Sequence, residues 1–260
     1  MKKYIALLRA EMLKIKGTFA IWLSVIGASL VVVLWFCILF FKANDFAKVF
    51  SKGNPWDFLI TNCFAGVEFF LLPLYIVLLN SLVLQIEHKA FAWKSVLAMP
   101  VKRSQVFISK LVIILVLIFL THLLFAFEIL MTGKILGILK PVLPFTKTTT
   151  PYLLLLKITL KSFVSILALC VLQFWLSIRI KNFIVPLGIG LAGTVTAGIL
   201  WKWKKSIFIP YALPILNFTG SKPLPVLASH SIPMALFNSL WIFVLIFILS
   251  VWDFRRMQVK

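Results

Sequence analysis

Acidic residues are scarce in this chain of 260 residues, which has 7 Asp and Glu against 27 Lys and Arg. Charged residues of both signs make up 13%, roughly half the share that is usual in soluble domains. So few polar groups cannot cover the surface of a soluble domain, and the 62% hydrophobic content excludes disorder. The composition indicates a polytopic membrane protein. Its net charge of +20 then points to membrane topology and anionic lipid rather than to nucleic acid.

The sequence also lacks the motifs of common catalytic and metal sites. It contains no Gly-x-x-x-x-Gly-Lys-Ser/Thr nucleotide-binding loop, no Gly-x-Ser-x-Gly and no His-Glu-x-x-His. The three Cys residues lie singly within apolar runs, and the three His residues are scattered. We therefore expect no catalytic residue, no metal site and no cofactor bound by this chain itself.

Six long apolar runs predict an all-α fold that crosses the membrane repeatedly. A helix needs about 20 apolar residues to cross the hydrocarbon core. The predicted spans cover residues 19–41, 58–86, 111–131, 152–178, 183–201 and 234–252. We expect one transmembrane domain over residues 1–260.

The Arg residues predict the orientation of these spans. With both termini on one side, that side holds all five Arg residues, which are Arg9, Arg103, Arg179, Arg255 and Arg256. Positive residues are enriched in cytoplasmic loops. Both termini are therefore predicted to be cytoplasmic.

Two short segments are predicted to lie along the membrane surface rather than across it. In the first 16 residues, Tyr4, Leu8 and Ile15 share one helical stripe and Lys2 and Arg9 lie opposite, as in an interfacial amphipathic helix. Residues 87–105 predict a second short helix, ended by its proline. The aromatic side chains of this second segment favour docking to a partner. The alternative is an aromatic anchor at the membrane interface.

The segment from Gln85 to Leu111 carries a resemblance to a known family. Its run Gln-Ile-Glu-His-Lys … Trp-Lys … Leu-Ala-Met-Pro-Val-Lys-Arg … Ser-Lys-Leu resembles the permeases of ATP-binding-cassette (ABC) exporters of the ABC-2 type. The nearest branch is that of the lantibiotic-immunity and bacitracin-resistance permeases. The segment Leu8–Lys16 is similar to the opening interfacial helix of that family.

The resemblance implies a coupling helix between spans two and three that docks on a separate ABC ATPase subunit. That subunit, in two copies, would bind ATP and Mg. A second permease subunit, identical or related, would complete the pathway. In this sequence the expected coupling residues are Glu87, His88, Lys89, Phe91, Trp93, Lys94, Pro100 and Arg103.

The substrate and location follow from the same resemblance. An exporter of this kind would move an amphipathic substrate, such as a peptide antibiotic, a lipid or a hydrophobic drug, out of the bacterial cytoplasmic membrane or cell. Residues 202–233, which contain five prolines and short apolar pieces, would form extracellular re-entrant helices. An ordinary proline-rich loop is the alternative for this segment.

Charged residues within the predicted spans need a partner, because an ionisable group at depth costs roughly 2.5–3.5 kcal/mol. Glu68 and Lys161 lie about 15 Å and about 14 Å below the outer starts of their spans, at ~1.5 Å per residue. We predict that they pair, as a packing contact rather than a substrate contact. Pairing of Glu68 with His122 is the weaker alternative, and Lys157 and Lys161 could instead extend to the outer headgroups.

Two other functions remain open from the sequence. A membrane scaffold or assembly protein would have the same spans but no ATPase partner. A membrane-embedded enzyme acting on lipid is less favoured, because it would need paired acid and base groups that the sequence does not show.

Overall fold

The computed structural model describes residues 2–51, 53–89, 101–219 and 234–257. Within these ranges the regular elements are helical, as the sequence predicts, and none is a strand. The α-helices are α1 (Lys2–Ile15), α2 (Phe19–Phe41), α3 (Ala43–Phe50), α4 (Pro55–Gly66), α5 (Leu72–Lys89), α6 (Arg103–Leu139), α7 (Tyr152–Ser165), α8 (Leu167–Arg179), α9 (Ile184–Leu200), α10 (Leu213–Thr219) and α11 (Met234–Arg256).

In the described part of the chain, five helical runs are long and apolar enough to cross a membrane. They are Phe19–Phe41, Pro55–Lys89, Arg103–Leu139, Tyr152–Arg179 and Met234–Arg256. The second run extends three residues beyond each predicted bound, and the third extends eight residues beyond each. The predicted fifth span corresponds to α9, an apolar helix of only 17 residues. The six-span layout therefore stays a prediction, while the multi-pass helical class is confirmed.

The fourth run is two helices rather than the single helix that the sequence predicts. Ile166 separates α7 from α8. The hydroxyl of Ser239, on α11, donates to the carbonyl oxygens of Val164 and Ser165 at 2.8 and 3.0 Å. A break in a buried helix leaves carbonyl groups without their helical partners, which costs free energy unless another donor is present. Ser239 supplies that donor and so stabilises the break.

A π-helical turn, Val67–Leu71, joins α4 to α5. The amide of Leu72 donates to the carbonyl of Val67, five residues earlier. Pro73 follows immediately and has no amide hydrogen to donate to the carbonyl of Phe69. The proline ring also clashes with that carbonyl in a regular α-helix, so the widened turn relieves a local conflict.

A sharp corner separates α1 from α2. Gly17 has φ of +84°, in the left-handed region that glycine adopts without steric cost. The Thr18 hydroxyl donates to the Ile15 carbonyl at 2.7 Å and helps to end α1. This corner lets α1 run beside the bundle instead of continuing the axis of α2, while the interfacial position of α1 stays a prediction.

The ends of the bundle differ in their contacts. One end, called the termini end below, holds the contact of Arg103 on α6 with the carbonyl of Arg255, in the last turn of α11, and with that of Met257, just after α11. At the opposite end, the far end, the Trp56 indole donates to the Phe145 carbonyl at 3.2 Å. Gly133 on α6 lies against Trp56 so closely that a Cβ there would come within 2.4 Å of the ring.

The segment after α9 folds back against the bundle. It forms two 3-10 turns, Lys204–Phe208 and Pro210–Ala212, and then α10. Ala212, Leu213 and Ile215 are at most 1% exposed, so the segment is packed inside rather than extended as a loop. Residues 220–233 lie outside the described residues, and the re-entrant arrangement of 202–233 stays a prediction.

Candidate functional site

Two acids and two lysines form a buried ionic cluster at the termini end. Glu11 and Lys14 come from α1, Glu87 from the end of α5 and Lys110 from the start of α6. The Lys110 ammonium donates to Glu11 Oε2 at 2.7 Å and to Glu87 Oε1. The Lys14 ammonium donates to Glu87 Oε1 at 3.0 Å and to Glu11 Oε1 at 2.9 Å. Four side chains thus tie three helices together.

The cluster is balanced in charge and largely withdrawn from solvent. The side chains of Lys110, Glu11 and Glu87 are 1%, 5% and 3% exposed, whereas that of Lys14 is 34% exposed. Burial disfavours the charged form of Lys14, but its hydrogen bonds and attraction to Glu11 and Glu87 outweigh this, so the pKa of Lys14 is raised. Because buried charges are tolerated when paired, the position of each helix depends on the other two.

The ionic cluster lies beside both ends of residues 90–100. Glu87 is two residues before the last residue of α5, and Lys110 is seven residues after the first residue of α6. His88 Nε2 lies 3.0 Å from the carbonyl of Ser177 on α8. Arg103, at the first position of α6, donates to the carbonyls of Arg255 and Met257 at 3.1 and 2.8 Å. Both flanks of the segment are therefore fastened to the bundle.

A second contact fastens α8 to α11 at the same end. The Trp175 indole donates to Asp253 Oδ2 at 2.9 Å. The guanidinium of Arg179, at the end of α8, lies 3.9 Å from the same oxygen and is more than half exposed. This exposed pair adds little stability, whereas the indole contact fixes which faces of the two helices meet.

The structure places only some of the expected coupling residues. Glu87 and His88 face the bundle through the contacts above, while Lys89 and Arg103 are exposed. Phe91, Trp93, Lys94 and Pro100 lie outside the described residues. The contact of all eight with an ATPase stays a prediction.

The expected pair of Glu68 and Lys161 is not formed, and this prediction is wrong for this structure. Glu68 is 1% exposed, and neither of its carboxyl oxygens has a hydrogen-bond partner among the described residues. The reason is the direction in which α7 presents its side chains. The buried stripe of α7 passes through Thr159, Ser162 and Ser165, and Lys157 and Lys161 lie off this stripe. Ser162 therefore faces the interior where Lys161 was expected.

His122 does not pair directly with Glu68 either. Its Nδ1 lies 2.8 Å from the Ile118 carbonyl and its Nε2 3.3 Å from Ser162 Oγ. Within the described ranges, no group of three or more His, Cys, Asp or Glu side chains is placed so that it could hold a metal ion.

Comparison with known families gives one match. Residues 7–197 match the model of a family described as ABC-2 family transporter protein. The matched range is well over half of the chain and contains the ionic cluster, both flanks of residues 90–100 and Glu68. The chain belongs to the ABC-2 transporter family. Comparison with curated proteins and with solved structures gives no match.

Membership in the ABC-2 family supports several of the predictions made from the sequence. The chain is a multi-pass membrane component of an ABC transporter, and such a component works with an ABC ATPase subunit. Members of the ABC-2 family are generally non-catalytic membrane subunits. The narrower assignment to lantibiotic-immunity and bacitracin-resistance permeases stays a prediction.

Sequence reasoning missed three of the four side chains of the ionic cluster. The sequence patterns assigned no contact to Glu11, Lys14 or Lys110. A signal was present, since Glu11 lies beside the apolar stripe of α1 through Leu8 and Ile15. When this apolar stripe packs against the bundle, the carboxylate of Glu11 is buried with it. A buried carboxylate needs a cation as a partner.

Proposed function

We propose that this ABC-2 family chain is the permease subunit of an exporter for amphipathic substrates. A separate ATPase, in two copies, docks on residues 87–105 and supplies the energy from ATP and Mg. A second permease subunit, identical or related, forms the other half of the pathway. The termini face the cytoplasm of a bacterial cell, and the pump clears its substrate from the cytoplasmic membrane.

The observation that carries the proposal is the fastening of both flanks of residues 90–100. On one side, Glu87 is held to α1 and α6 by the ionic cluster. On the other side, Arg103 is held to the end of α11. A partner that pushes on residues 90–100 would therefore move α1, α5, α6 and α11 together, as rigid-body rocking requires.

The charges of the ionic cluster also favour transmission of a movement from residues 90–100 to the bundle. A flexible linker would absorb a displacement, but the ionic cluster cannot separate without leaving buried charges uncompensated. A scaffold protein has no need of such a connection, since nothing has to be transmitted through it.

The docking experiment uses the double substitution Trp93→Ala plus Lys94→Glu in the full chain. It is co-expressed with its ABC ATPase partner, and the complex is purified in detergent. We expect the wild type to retain the ATPase in a fixed ratio and the double variant to lose it, because the apolar anchor is removed and the local charge reversed.

The chain offers a matched control for this test. Trp203→Ala plus Lys204→Glu makes the same two changes at a second Trp-Lys pair of the sequence, which is exposed and lies in the segment after α9. The control is expected to retain the ATPase. Retention by the Trp93 and Lys94 variant would reject this docking site. A wild-type chain that retains no ATPase would favour the scaffold, which has no ATPase partner.

A further inference from the structure

An open groove, called the α1–α6 groove below, lies on the surface of the bundle near the termini end. Its walls come from three places: the end of α1, with Met12, Leu13, Ile15 and Lys16; the first turn of α2; and one side of α6. The groove has a volume of about 340 Å³, within the range of about 300–1,000 Å³ that is usual for ligand-binding clefts. It is therefore large enough to hold a ligand rather than a single water molecule.

The α6 wall of the groove is an exposed apolar stripe. Ile113, Val116 and Leu120 follow one another at helical spacing over about 10 Å of α6. Val116 and Leu120 are 43% and 54% exposed, so the structure leaves this stripe uncovered. Among the lining residues that the structure describes, Lys16 alone carries a polar side chain. The groove is thus an elongated apolar surface with one cation.

The cation lies at the shallow end of the groove. The Ser29 hydroxyl on α2 donates to Glu128 on α6 at 2.7 Å, and both helices begin at the termini end, so they run side by side in the same direction. Ile21 and Leu120 each lie eight residues before one of these two side chains, and they are therefore at a similar depth. Lys16 precedes α2 and lies nearer to the termini end.

The Lys16 ammonium is available to an anion from outside the chain. Lys14, two residues earlier, is bound to Glu11 and Glu87 in the ionic cluster. Lys16 is exposed and forms no ion pair in the described part of the chain. The stem of a lysine can cover apolar surface while its ammonium reaches the polar headgroup region. Lys16 can therefore line the groove and still meet a charged headgroup.

The depth of the groove favours a lipid over a soluble protein as its occupant. Leu120 lies 17 residues after the first residue of α6, which is about 25 Å along a helical run that is long and apolar enough to cross a membrane. Acyl chains surround such a run, whereas a soluble subunit contacts only its ends. An apolar groove with a cation at its shallow end matches a lipid whose headgroup is negative.

We propose that the α1–α6 groove binds one acyl chain of an anionic phospholipid whose phosphate contacts the Lys16 ammonium. A phosphate oxygen accepts a charge-assisted hydrogen bond from an ammonium group, and anionic lipids are attracted to basic residues near the membrane surface. The ionic cluster holds α1 to α6 on one side, and the acyl chain fills the gap between them on the other. The site is thus a lipid site beside α1, and it does not depend on transport or on the ATPase.

The experiment counts the lipids bound to the full chain by native mass spectrometry. The protein is purified in detergent and titrated with dioleoyl phosphatidylglycerol or dioleoyl phosphatidylcholine, which carry the same acyl chains. We expect the wild type to bind the first phosphatidylglycerol about fivefold more tightly than the first phosphatidylcholine, which is the effect of one lysine near an anionic lipid. Lys16→Gln should weaken binding of phosphatidylglycerol about fivefold and leave phosphatidylcholine unchanged. Val116→Trp should weaken binding of both lipids, because its indole fills the groove.

Two matched controls make the same changes outside the groove. Lys181→Gln removes another exposed lysine at the termini end, just after α8. Val244→Trp adds an indole on α11 at a valine that is 45% exposed, close to the value for Val116. Both controls should bind the two lipids as the wild type does. Since all four substituted side chains are exposed, the melting temperatures without added lipid should stay close to that of the wild type.

Each other outcome overturns the assignment. Equal binding of the two lipids by the wild type would reduce the groove to a general acyl-chain surface. Equal losses in Lys16→Gln and Lys181→Gln would make the preference a property of the whole basic surface. Binding that Val116→Trp leaves intact would place the lipid elsewhere, and a wild-type dimer that Val116→Trp dissociates would make a second copy of the chain the occupant. Since the ATPase is absent from this assay, failure of ATPase docking does not affect its result.

Discussion

Removal of Lys110 is the sharpest test of the ionic cluster. In the wild type, two ammonium groups balance the carboxylates of Glu11 and Glu87. Lys110→Met leaves two buried carboxylates with Lys14 alone, an excess of one negative charge. Breaking a buried pair costs about 3–5 kcal/mol. Lys14 remains at 2.9–3.0 Å from both acids and is partly exposed, so the expected loss is at the lower end, about 3 kcal/mol.

A second substitution that restores the charge balance provides a stricter test of the ionic cluster. Glu11→Gln alone leaves one excess positive charge and should also destabilise the protein. The double variant Lys110→Met plus Glu11→Gln keeps Lys14 opposite Glu87, so charge balance returns. We expect the double to be more stable than the sum of the single effects by more than about 1 kcal/mol.

The assay is the unfolding free energy of the full chain in mixed micelles, taken from SDS titration. Lys134→Met is the control, because Lys134 lies on the same helix but is exposed. Its ammonium lies 5.7 Å from the centre of the Tyr152 ring, which is worth at most about 1 kcal/mol. If Lys110→Met costs no more than this control, or if the double variant is simply additive, the ionic cluster does not stabilise the fold as argued.

Two further predictions use the same unfolding assay. The pKa of Lys14 is raised, so its contribution is complete below the ordinary value of 10.5 and is lost as the pH rises through the folded value. The stability gap between the wild type and Lys14→Met should therefore be constant from about pH 7 to 9 and close only in more alkaline solution; a gap that closes below pH 9 would contradict the assignment. Gly133→Ala should destabilise the protein by about 1–3 kcal/mol, since the new Cβ would lie 2.4 Å from the Trp56 ring. Gly188→Ala, where no atom lies within 4 Å of the added Cβ, should be neutral or stabilising, and equal behaviour of the two variants would refute the close approach.

Hydrophobic length predicted most of the fold, because a helix that crosses a membrane needs a continuous apolar run. The break at Ile166 had no comparable signal. Neither proline nor glycine marks it, and its donor Ser239 lies more than 70 residues away. Such a feature depends on tertiary packing, which a local pattern does not contain. The π-helical turn had a local signal in the sequence. Pro73 has no amide hydrogen for the carbonyl four residues earlier, and its ring would clash with that carbonyl in a regular α-helix.

The candidate site shows a similar division. Residues 87–105 were recognised from their own composition, but the partners of Glu87 were not, because Lys14 lies 73 residues away along the chain and Lys110 lies 23 residues away. The pairing of Glu68 with Lys161 was wrong for a different reason. Depth along two helices was matched, but rotation about α7 was not considered. Rotation decides which side chain of neighbouring residues faces inward.

The π-helical turn also sets the phase between the two ends of the second membrane run. Trp56 is fixed at the far end and Glu87 at the termini end, and the run between them contains one residue more than regular α-helical winding would use. A residue deleted from Val67–Leu71 would let the turn close as regular α-helix, which uses one residue fewer for the same rotation, so Trp56 and Glu87 would keep their directions. A residue deleted from the regular part of α5 would instead rotate all that follows it by about 100°, and Glu87 would face away from Lys110. The fold therefore tolerates the loss of one residue in this turn more readily than in the helix that follows it.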